Sequence, residues 1–140
     1  MRIGIYGYGN LGRGVECAIA KNPDMTLEAV FTRRDPAGMC IATAGVPVVA
    51  ADEIEQWADR LDVLILCGGS ATDLPHMTPA LAQKFNVVDS YDNHSSIPCH
   101  YAAVDAAAAA SGHVALISCG WDPGMFSINR LYSNCILPDQ

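Results

Sequence analysis

The feature that most constrains the fold of this chain is a glycine pattern close to its first residue. Gly7, Gly9 and Gly12 have the spacing GxGxxG, directly after a short β-rich run and directly before a helical pattern. In such a unit Gly7 permits a tight turn, Gly9 lets backbone approach a pyrophosphate, and Gly12 allows close helix–strand packing. The N–H groups and the positive dipole end of the helix then bind phosphate. The pattern predicts a dinucleotide-binding turn, and an ordinary glycine-rich turn is the alternative.

Strand-like and helix-like segments alternate along the chain, which is typical of an α/β fold with a parallel sheet. The predicted strands cover residues 2–6, 27–32, 46–49, 63–67, 87–89 and 114–118. The predicted helices cover residues 11–19, 52–57, a stretch from after Thr78 to near Phe85, 96–110 and 126–137. We therefore expect a Rossmann-like doubly wound parallel sheet of about six strands in three α/β/α layers, with the ligand at the carboxyl ends of the strands.

Composition excludes several classes of protein. The 140 residues favour one domain, and 51% hydrophobic against 16% charged residues argues against disorder and coiled coils. The chain has only 8 Lys and Arg residues but 15 Asp and Glu residues, so no nucleic-acid partner is expected. Neither a signal peptide nor an apolar run of about 18 residues is present, so no membrane partner is expected. Six cysteines without a CxxC pair are interpreted as reduced cytoplasmic thiols, with three disulfides as the alternative.

The end of the second predicted strand indicates which dinucleotide is bound. An NAD site usually has an acidic residue about 20 positions after the glycines, to accept from the ribose 2′-hydroxyl. Here Thr32, Arg33 and Arg34 stand at that point instead. Two guanidiniums and a hydroxyl suit a 2′-phosphate, so NADP is the predicted cofactor. A solvated arginine pair is the alternative, and Asp35 could serve as an NAD-type acid if the strand were longer.

The loop after the fourth predicted strand is built from small residues. Gly69, Ser70 and Thr72 would allow the nicotinamide ribose and phosphate to approach the backbone closely. A plain connecting loop is the alternative. Cys67, which ends the strand, is interpreted as a packing residue because no cation lies near it in sequence to lower its pKa.

The loops after the fifth and sixth predicted strands each place a carboxylate beside an aromatic ring. Asp92 follows Tyr91, and Asp122 follows Trp121. Together the two carboxylates could hold an ammonium group by charge-assisted hydrogen bonds, or they could orient a water molecule. Turn chemistry is the alternative for both, and Asp89 is interpreted as a strand-end turn residue.

The histidines give a weaker signal. His94 is a possible general base, although a solvated or capping loop histidine is favoured. His76, His100 and His113 have no ligand spacing with one another or with cysteine, so no metal site is predicted. Cys99 stands at a helix start, but a catalytic thiol there is disfavoured.

Taken in order along the chain, these motifs resemble the N-terminal part of the meso-diaminopimelate dehydrogenase family. The resemblance covers essentially all 140 residues, and the last two motifs are more specific than the glycine pattern. The segments that carry it are Gly7-Tyr8-Gly9-Asn10-Leu11-Gly12-Arg13, Phe31-Thr32-Arg33-Arg34, Gly69-Ser70-Ala71-Thr72-Asp73, Asp89-Ser90-Tyr91-Asp92-Asn93-His94 and Gly120-Trp121-Asp122-Pro123-Gly124-Met125-Phe126-Ser127-Ile128-Asn129-Arg130.

The resemblance implies an NADP-dependent amino-acid dehydrogenase of lysine biosynthesis, cytoplasmic and homodimeric in its full-length form. It would reversibly deaminate the D-centre of meso-2,6-diaminopimelate to L-2-amino-6-oxopimelate and ammonia. Asp92, Asp122 and Trp121 would form the catalytic site, gripping the ammonium and turning the Cα–H toward the nicotinamide. The residues expected to bind the cofactor are Gly7, Gly9, Asn10, Leu11, Gly12, Thr32, Arg33, Arg34, Gly69, Ser70, Thr72, Ser90 and Tyr91.

One departure from the family is large. Its substrate-binding and dimerisation domain has no counterpart before Gln140. We therefore expect residues 1–124 to form the dinucleotide-binding domain and residues 125–140 to begin a helix leading into that missing domain, with the 140-residue chain inactive alone. A non-catalytic NADP-binding module or truncated product, and another NADP reductase such as a dihydrodipicolinate reductase relative, are the alternative functions.

Overall fold

A computed structural model describes residues 1–137 of the chain. The strands of this part are β1 (Arg2–Tyr6), β2 (Thr26–Thr32), β3 (Val48–Ala50), β4 (Val63–Leu66), β5 (Val87–Asp89) and β6 (Ala115–Leu116). They form one sheet in the order β3-β2-β1-β4-β5-β6, and every pairing is parallel. The predicted doubly wound parallel sheet is therefore confirmed.

The α-helices of the described residues are α1 (Asn10–Ile19), α2 (Leu74–Ala82), α3 (Ile97–Ser111) and α4 (Met125–Ile136). Shorter 3₁₀ segments cover Pro36–Gly38, Ala51–Arg60 and His94–Ser96. Gly112 ends α3 in the left-handed conformation with φ +72°, as expected for a glycine just past a helix. Residues 138–140 of the predicted 125–140 segment lie outside the described residues.

The predicted start of α2 is wrong. The helix begins at Leu74, with Asp73 as its N-terminal cap and Pro75 in its first turn, so Thr78 and Pro79 lie inside it. The prediction places Pro79 in the first turn of the helix, but Pro75 occupies that position. The more informative signal was an aspartate directly before an apolar residue and a proline.

Other boundaries differ from prediction by a few residues. Differences of one or two residues at element ends carry little structural meaning, because those ends fray. The larger changes are that β3 starts two residues later than predicted, that 3₁₀ turns over Ala51–Arg60 replace a helix over 52–57, and that β6 keeps only Ala115 and Leu116 of 114–118.

Side chains pack against both faces of the sheet, which gives the three predicted layers. One apolar cluster surrounds Phe31, Trp57 and Leu64 and includes side chains of α2 and α3. The other surrounds Ile5 and Val30 on the α1 side. Phe31 meets Trp57 edge to face, with ring centroids 5.7 Å apart. Two buried faces explain why the predicted strands read as apolar runs and not as alternating patterns.

The strand order sets the position of a binding crevice. β1 pairs with β2 on one side and with β4 on the other. Successive strands are therefore added toward one edge of the sheet up to β3 and toward the opposite edge from β4 onward, and the order reverses beside β1. In open parallel sheets a ligand binds outside the carboxyl ends of the strands at such a point. The glycine turn that follows Tyr6 and the loop that follows Leu66 both leave the sheet there.

Helix α4 differs from the other helices because none of its residues is buried. Its exposed apolar side chains include Phe126, Ile128, Leu131 and Tyr132. Within residues 1–137, no helix is both long enough and apolar enough to span a membrane.

Candidate functional site

The glycine turn has the geometry that its spacing predicts. Gly7 has φ +94°, and a Cβ there would lie 2.9 Å from the carbonyl oxygen of Cys67. A Cβ on Gly12 would overlap the carbonyl oxygen of Gly7. The fold itself therefore requires these two glycines. Gly9 is different, because a Cβ there would meet no described atom within 4 Å. Its open side fits a bound group that must come close to the backbone.

A cavity of about 340 Å³ lies over this turn, at the carboxyl ends of β1, β2 and β4. It is the position expected for a dinucleotide in a doubly wound sheet. The predicted cofactor-binding residues that line it are Gly7, Gly9, Thr32, Arg33, Arg34 and Gly69. Lining residues that the sequence reasoning did not single out are Tyr6, Tyr8, Gly68, Asp73 and Met77.

The other predicted cofactor-binding residues do not line this cavity. Asn10 and Leu11 are exposed in the first turn of α1, and Ser70 and Ser90 are partly exposed in their loops. Thr72 lines an adjacent cavity of about 460 Å³.

Tyr91 is placed differently from expectation. Its side chain is 4% exposed and stacks on His100 with ring centroids 4.2 Å apart. The Tyr91 ring is therefore a packing group in this structure, and its N–H donates to Asp89.

The two arginines after β2 have different partners. Both terminal nitrogens of Arg33 donate to the carboxylate of Asp73, at 3.0 and 2.8 Å. Arg34 donates to the carbonyl oxygen of Tyr8 at 2.8 Å, and its own N–H donates to the Thr32 hydroxyl at 3.0 Å. Hydrogen bonds from the Arg33 guanidinium, and then from the Gly69 N–H, lower the pKa of Asp73. Arg33 thus spans the crevice from β2 to the start of α2.

Asp35 is occupied by local turn chemistry. Its carboxylate accepts a hydrogen bond from the Ala37 N–H at 3.0 Å and caps the 3₁₀ turn Pro36–Gly38. β2 ends at Thr32, so the longer strand that would make Asp35 an NAD-type acid is absent.

Asp92, one of the predicted catalytic carboxylates, joins two loops. The Ser70 hydroxyl donates to its carboxylate, and the Asp92 N–H donates back to the Ser70 oxygen at 2.9 Å. Through this pair the loop after β4 is attached to the loop after β5. Asp92 is exposed, so its carboxylate is accessible from the crevice side of the sheet.

Asp122, the second predicted carboxylate, has a cationic partner that the sequence reasoning did not assign. Arg130 of α4 donates to both carboxylate oxygens, at 3.0 and 2.7 Å, and Ser127 donates at 3.2 Å. The Nε2 atom of His94 lies 3.2 Å from the same carboxylate. Hydrogen bonding from Arg130 lowers the pKa of Asp122. Since His94 is in the loop that carries Asp92, the two acidic loops meet at this point.

Trp121 presents an exposed ring beside Asp122. The side chain is 68% exposed and stacks on Phe126, with ring centroids 5.5 Å apart. This surface is available to a ligand or to further protein.

Asp89 is a buried structural centre and not a simple turn residue. One carboxylate oxygen accepts from the Thr78 hydroxyl and contacts His100 Nε2, both at 2.7 Å. The other accepts from the N–H groups of Tyr91 at 3.1 Å and Ser118 at 2.8 Å. Asp89 therefore fixes the starts of both acidic loops. The signal available in the sequence was an aspartate ending an apolar strand, followed eleven positions later by His100.

Cys67 is suited to packing. Burial raises the pKa of its thiol to about 12, so it stays protonated at neutral pH. All six cysteines are free thiols. Among residues 1–137 no group of three or more His, Cys, Asp or Glu side chains is arranged to hold a metal ion.

The comparisons agree with the motifs. The chain is 58% identical over 138 residues to the meso-diaminopimelate D-dehydrogenase of Ureibacillus thermosphaericus, covering 99% of this chain and 42% of that protein. An engineered D-amino acid dehydrogenase bound to NADP⁺ superposes with a TM-score of 0.84 at 50% identity, over 97% of this chain and 41% of the other. The C. glutamicum DAP dehydrogenase in complex with DAP superposes with a TM-score of 0.83 at 50% identity, with the same coverage.

No protein-family model matches the chain. The chain spans 42% of the length of that curated relative. It is nevertheless related over nearly its whole length to the meso-diaminopimelate D-dehydrogenases, and the resemblance predicted from its motifs is confirmed.

Proposed function

We propose that this chain is the cofactor-binding part of an NADP-dependent amino-acid dehydrogenase. The enzyme would oxidatively deaminate the D-centre of meso-2,6-diaminopimelate to L-2-amino-6-oxopimelate and ammonia, and would run the reverse reductive amination in lysine biosynthesis. The names of the relatives support this reaction, and so does the complex of a 50% identical relative with DAP.

The observation that carries the proposal is the arrangement of the crevice. The cavity over the glycine turn has Arg33 and Arg34 at its β2 side, and the loops carrying Asp92 and Asp122 leave the same edge of the sheet. The predicted phosphate-binding backbone and the two carboxylates thus lie along one edge of the sheet, which supports hydride transfer from an amino acid to a dinucleotide.

Each part of the chain would have a defined task. NADP⁺, when bound, supplies a nicotinamide that accepts a hydride. The backbone of the glycine turn and the start of α1 would bind the pyrophosphate, and the arginines would bind the 2′-phosphate. Asp92 and Asp122 would hold the substrate ammonium by charge-assisted hydrogen bonds, which fixes the orientation of the reacting carbon. Trp121 would cover that position with its exposed ring.

Asp122 already has a cationic partner, Arg130, at the position where it would take the ammonium. In the present structure both of its oxygens accept from that guanidinium. A substrate cation must therefore compete with, or join, an existing ion pair. Hydrogen bonding from Arg130 lowers the pKa of Asp122, which shows how strongly the guanidinium favours the carboxylate that the substrate would also use.

Calorimetry with the 140-residue chain tests the cofactor. NADP is expected to bind, and replacing Arg33 and Arg34 together with alanine is expected to weaken NADP much more than NAD. Equal weakening of both dinucleotides would remove the 2′-phosphate assignment. Adding meso-diaminopimelate and following NADPH absorbance then tells whether this chain turns over substrate or only binds cofactor.

A second experiment tests the carboxylates. In the protein expressed from its complete reading frame, Asp122→Ala is expected to abolish deamination while NADP binding is retained. Near-normal turnover by that variant would exclude Asp122 from the site.

We also propose that residues 1–124 form the dinucleotide-binding unit and that α4 leads into a further domain of a cytoplasmic homodimer. The absence of any buried residue in α4 supports further packing on that helix. Six free thiols support a reducing compartment.

A further inference from the structure

The two acidic loops begin at a single buried oxygen atom. Oδ1 of Asp89 accepts hydrogen bonds from the Tyr91 N–H at 3.1 Å and from the Ser118 N–H at 2.8 Å. Tyr91 directly precedes Asp92, and Ser118 lies four residues before Asp122. Short segments of backbone therefore connect both predicted catalytic carboxylates to the same atom.

Contacts from two helices hold the Asp89 carboxylate so that this oxygen faces the loops. The other oxygen, Oδ2, accepts from the Thr78 hydroxyl of α2 and contacts Nε2 of His100 in α3, both at 2.7 Å. The His100 ring in turn stacks on the ring of Tyr91. The side chains of Asp89 and His100 are 0% and 2% exposed, so water does not compete for these contacts.

Ser118 has a backbone conformation that residues other than glycine seldom adopt. Its φ is +59°, in the left-handed region. Two hydrogen bonds to Asp89 hold it there: the Ser118 N–H donates to Oδ1, and the Cys119 N–H donates to the Asp89 carbonyl oxygen at 2.8 Å. Such conformations persist where the surrounding contacts determine them, and they cluster at functional sites. This turn leads from β6 to the loop that carries Asp122.

The two loops meet again farther from the sheet. Nε2 of His94, two residues after Asp92, lies 3.2 Å from a carboxylate oxygen of Asp122. The loops thus form a closed circuit of contacts that starts and ends at Asp89, so a displacement there moves one loop relative to the other. The side chains of His94 and Arg130 are 49% and 58% exposed, and such exposed ion pairs constrain the loops less than the buried carboxylate does.

We infer that Asp89 is a positioning residue for the amine chemistry, because it sets the separation of the Asp92 and Asp122 carboxylates. This inference rests on the proposed deamination. Two carboxylates share one ammonium by charge-assisted hydrogen bonds only at a suitable separation, and misplacing a reacting group by about 1 Å can cost about 100-fold in rate. Asp89 does not line the cavity over the glycine turn. Its replacement is therefore expected to affect the amine and not the dinucleotide.

Steady-state kinetics with meso-diaminopimelate and NADP⁺, in the protein expressed from its complete reading frame, test the inference with two variants. Asp89→Glu keeps the charge but adds one methylene, which displaces both loop starts. We expect it to raise KM for meso-diaminopimelate and to lower kcat/KM at least about tenfold, while the Kd for NADP from calorimetry changes less than about twofold. Asp89→Asn keeps the length and an oxygen toward the two N–H groups, so kcat/KM is expected to stay within about threefold of the parent. A direct electrostatic role of the Asp89 charge predicts the opposite order.

A second pair of variants changes a loop start without altering the buried carboxylate, so the test does not depend on the folding of Asp89→Glu. Ser118→Val places a β-branched side chain at φ +59°, which such residues do not tolerate. It is expected to raise KM for meso-diaminopimelate at least about tenfold. Ser118→Gly retains the N–H and adopts this φ freely, and is expected to stay within about twofold of the parent.

Leu27→Ala is the control for lost stability alone. Leu27 is 7% exposed and lies near the amino end of β2, in the apolar cluster on the α1 side. Truncating it leaves a cavity that destabilises the fold. Partial unfolding lowers the concentration of active enzyme, and hence the apparent kcat, but leaves KM for meso-diaminopimelate unchanged. Circular dichroism and urea unfolding verify that each variant is folded and measure how far it is destabilised.

The outcomes separate this inference from the proposed function. If the parent protein does not turn over meso-diaminopimelate, the proposed function is refuted. If the parent is active but folded Asp89→Glu or Ser118→Val keeps its KM for meso-diaminopimelate, Asp89 contributes to stability only and the inference is wrong. A rise of KM in Leu27→Ala equal to that in Asp89→Glu, or a larger loss in Asp89→Asn than in Asp89→Glu, would overturn it as well.

Discussion

The carboxylate of Asp89 offers the sharpest test of how this fold is held together. Four donors converge on its two oxygens: the Thr78 hydroxyl and His100 Nε2 on one, and the N–H groups of Tyr91 and Ser118 on the other. With 1% of its surface exposed, the group has little access to solvent. Removing it leaves several buried donors without an acceptor, each at a cost of about 1–3 kcal/mol.

Two replacements are expected to differ in a way that the geometry dictates. Asp89→Ala leaves all four donors without an acceptor. It should therefore lower the free energy of unfolding by at least about 4 kcal/mol, a large part of the total stability of a domain. Asp89→Asn can keep its oxygen toward the two backbone N–H groups. Its amide then faces the hydroxyl of Thr78 and the ring of His100, which can both accept a hydrogen bond. We expect a loss of about 2 kcal/mol for this variant, since charge-assisted bonds become neutral ones.

Urea unfolding followed by far-UV circular dichroism measures both losses, with an unchanged m-value as the sign of a two-state comparison. Asp105→Ala, at an exposed position of α3, is the matched control and is expected to fall within about 0.5 kcal/mol of the parent chain. The reasoning is refuted if Asp89→Ala costs less than about 1 kcal/mol, or if Asn proves as damaging as Ala.

Three further predictions concern other parts of the chain. Because the pKa of Glu16 is lowered on folding, its contribution to stability is complete above its unfolded pKa of about 4.3 and is lost as the pH falls through the lower folded value. Urea midpoints between neutral and acidic pH should fall less steeply for Glu16→Gln than for the exposed control Glu53→Gln, and identical slopes would contradict this. Iodoacetamide at mildly alkaline pH should label exposed Cys17, Cys40, Cys99 and Cys135 well before Cys67, whose pKa is about 12, and peptide mass spectrometry that finds Cys67 labelled as fast as Cys17 would be inconsistent with its burial. Gly12→Ala should destabilise the chain because its Cβ overlaps backbone, whereas Gly9→Ala should unfold like the parent chain and lose dinucleotide affinity; a Gly9→Ala chain that binds NADP normally would show that no ligand approaches there.

Much of the sheet could be predicted because its signals are local. The apolar run at β4 and the glycine spacing after β1 each specify an element and its place at the crevice. The start of α2 was missed because two prolines compete for one role, and only the first stands where a helix can begin. The aspartate before Leu74 and Pro75 favours the first, while the second lies inside the helix beside the buried Thr78.

The site was less predictable because its defining contacts join distant positions. Arg33 contacts Asp73 forty residues later, and Arg130 contacts Asp122 eight residues earlier, across the turn that precedes α4. Each of these charges is visible in the sequence, but nothing local says which pairs form. The sequence identified the residue types gathered at the crevice, whereas only the fold shows that Arg33 is already engaged.

The reversal of strand order beside β1 has a consequence for how the sequence of such a protein can evolve. Strands β1 to β3 and α1 carry the glycine turn and the arginines, while β4 to β6 carry Asp92 and Asp122. Under the proposed function, dinucleotide preference would be encoded before about residue 50 and amine binding after it. If so, substitutions in one region would change one of these properties with little effect on the other. The Arg33–Asp73 ion pair takes one residue from each of these two regions, so a substitution at either position affects both.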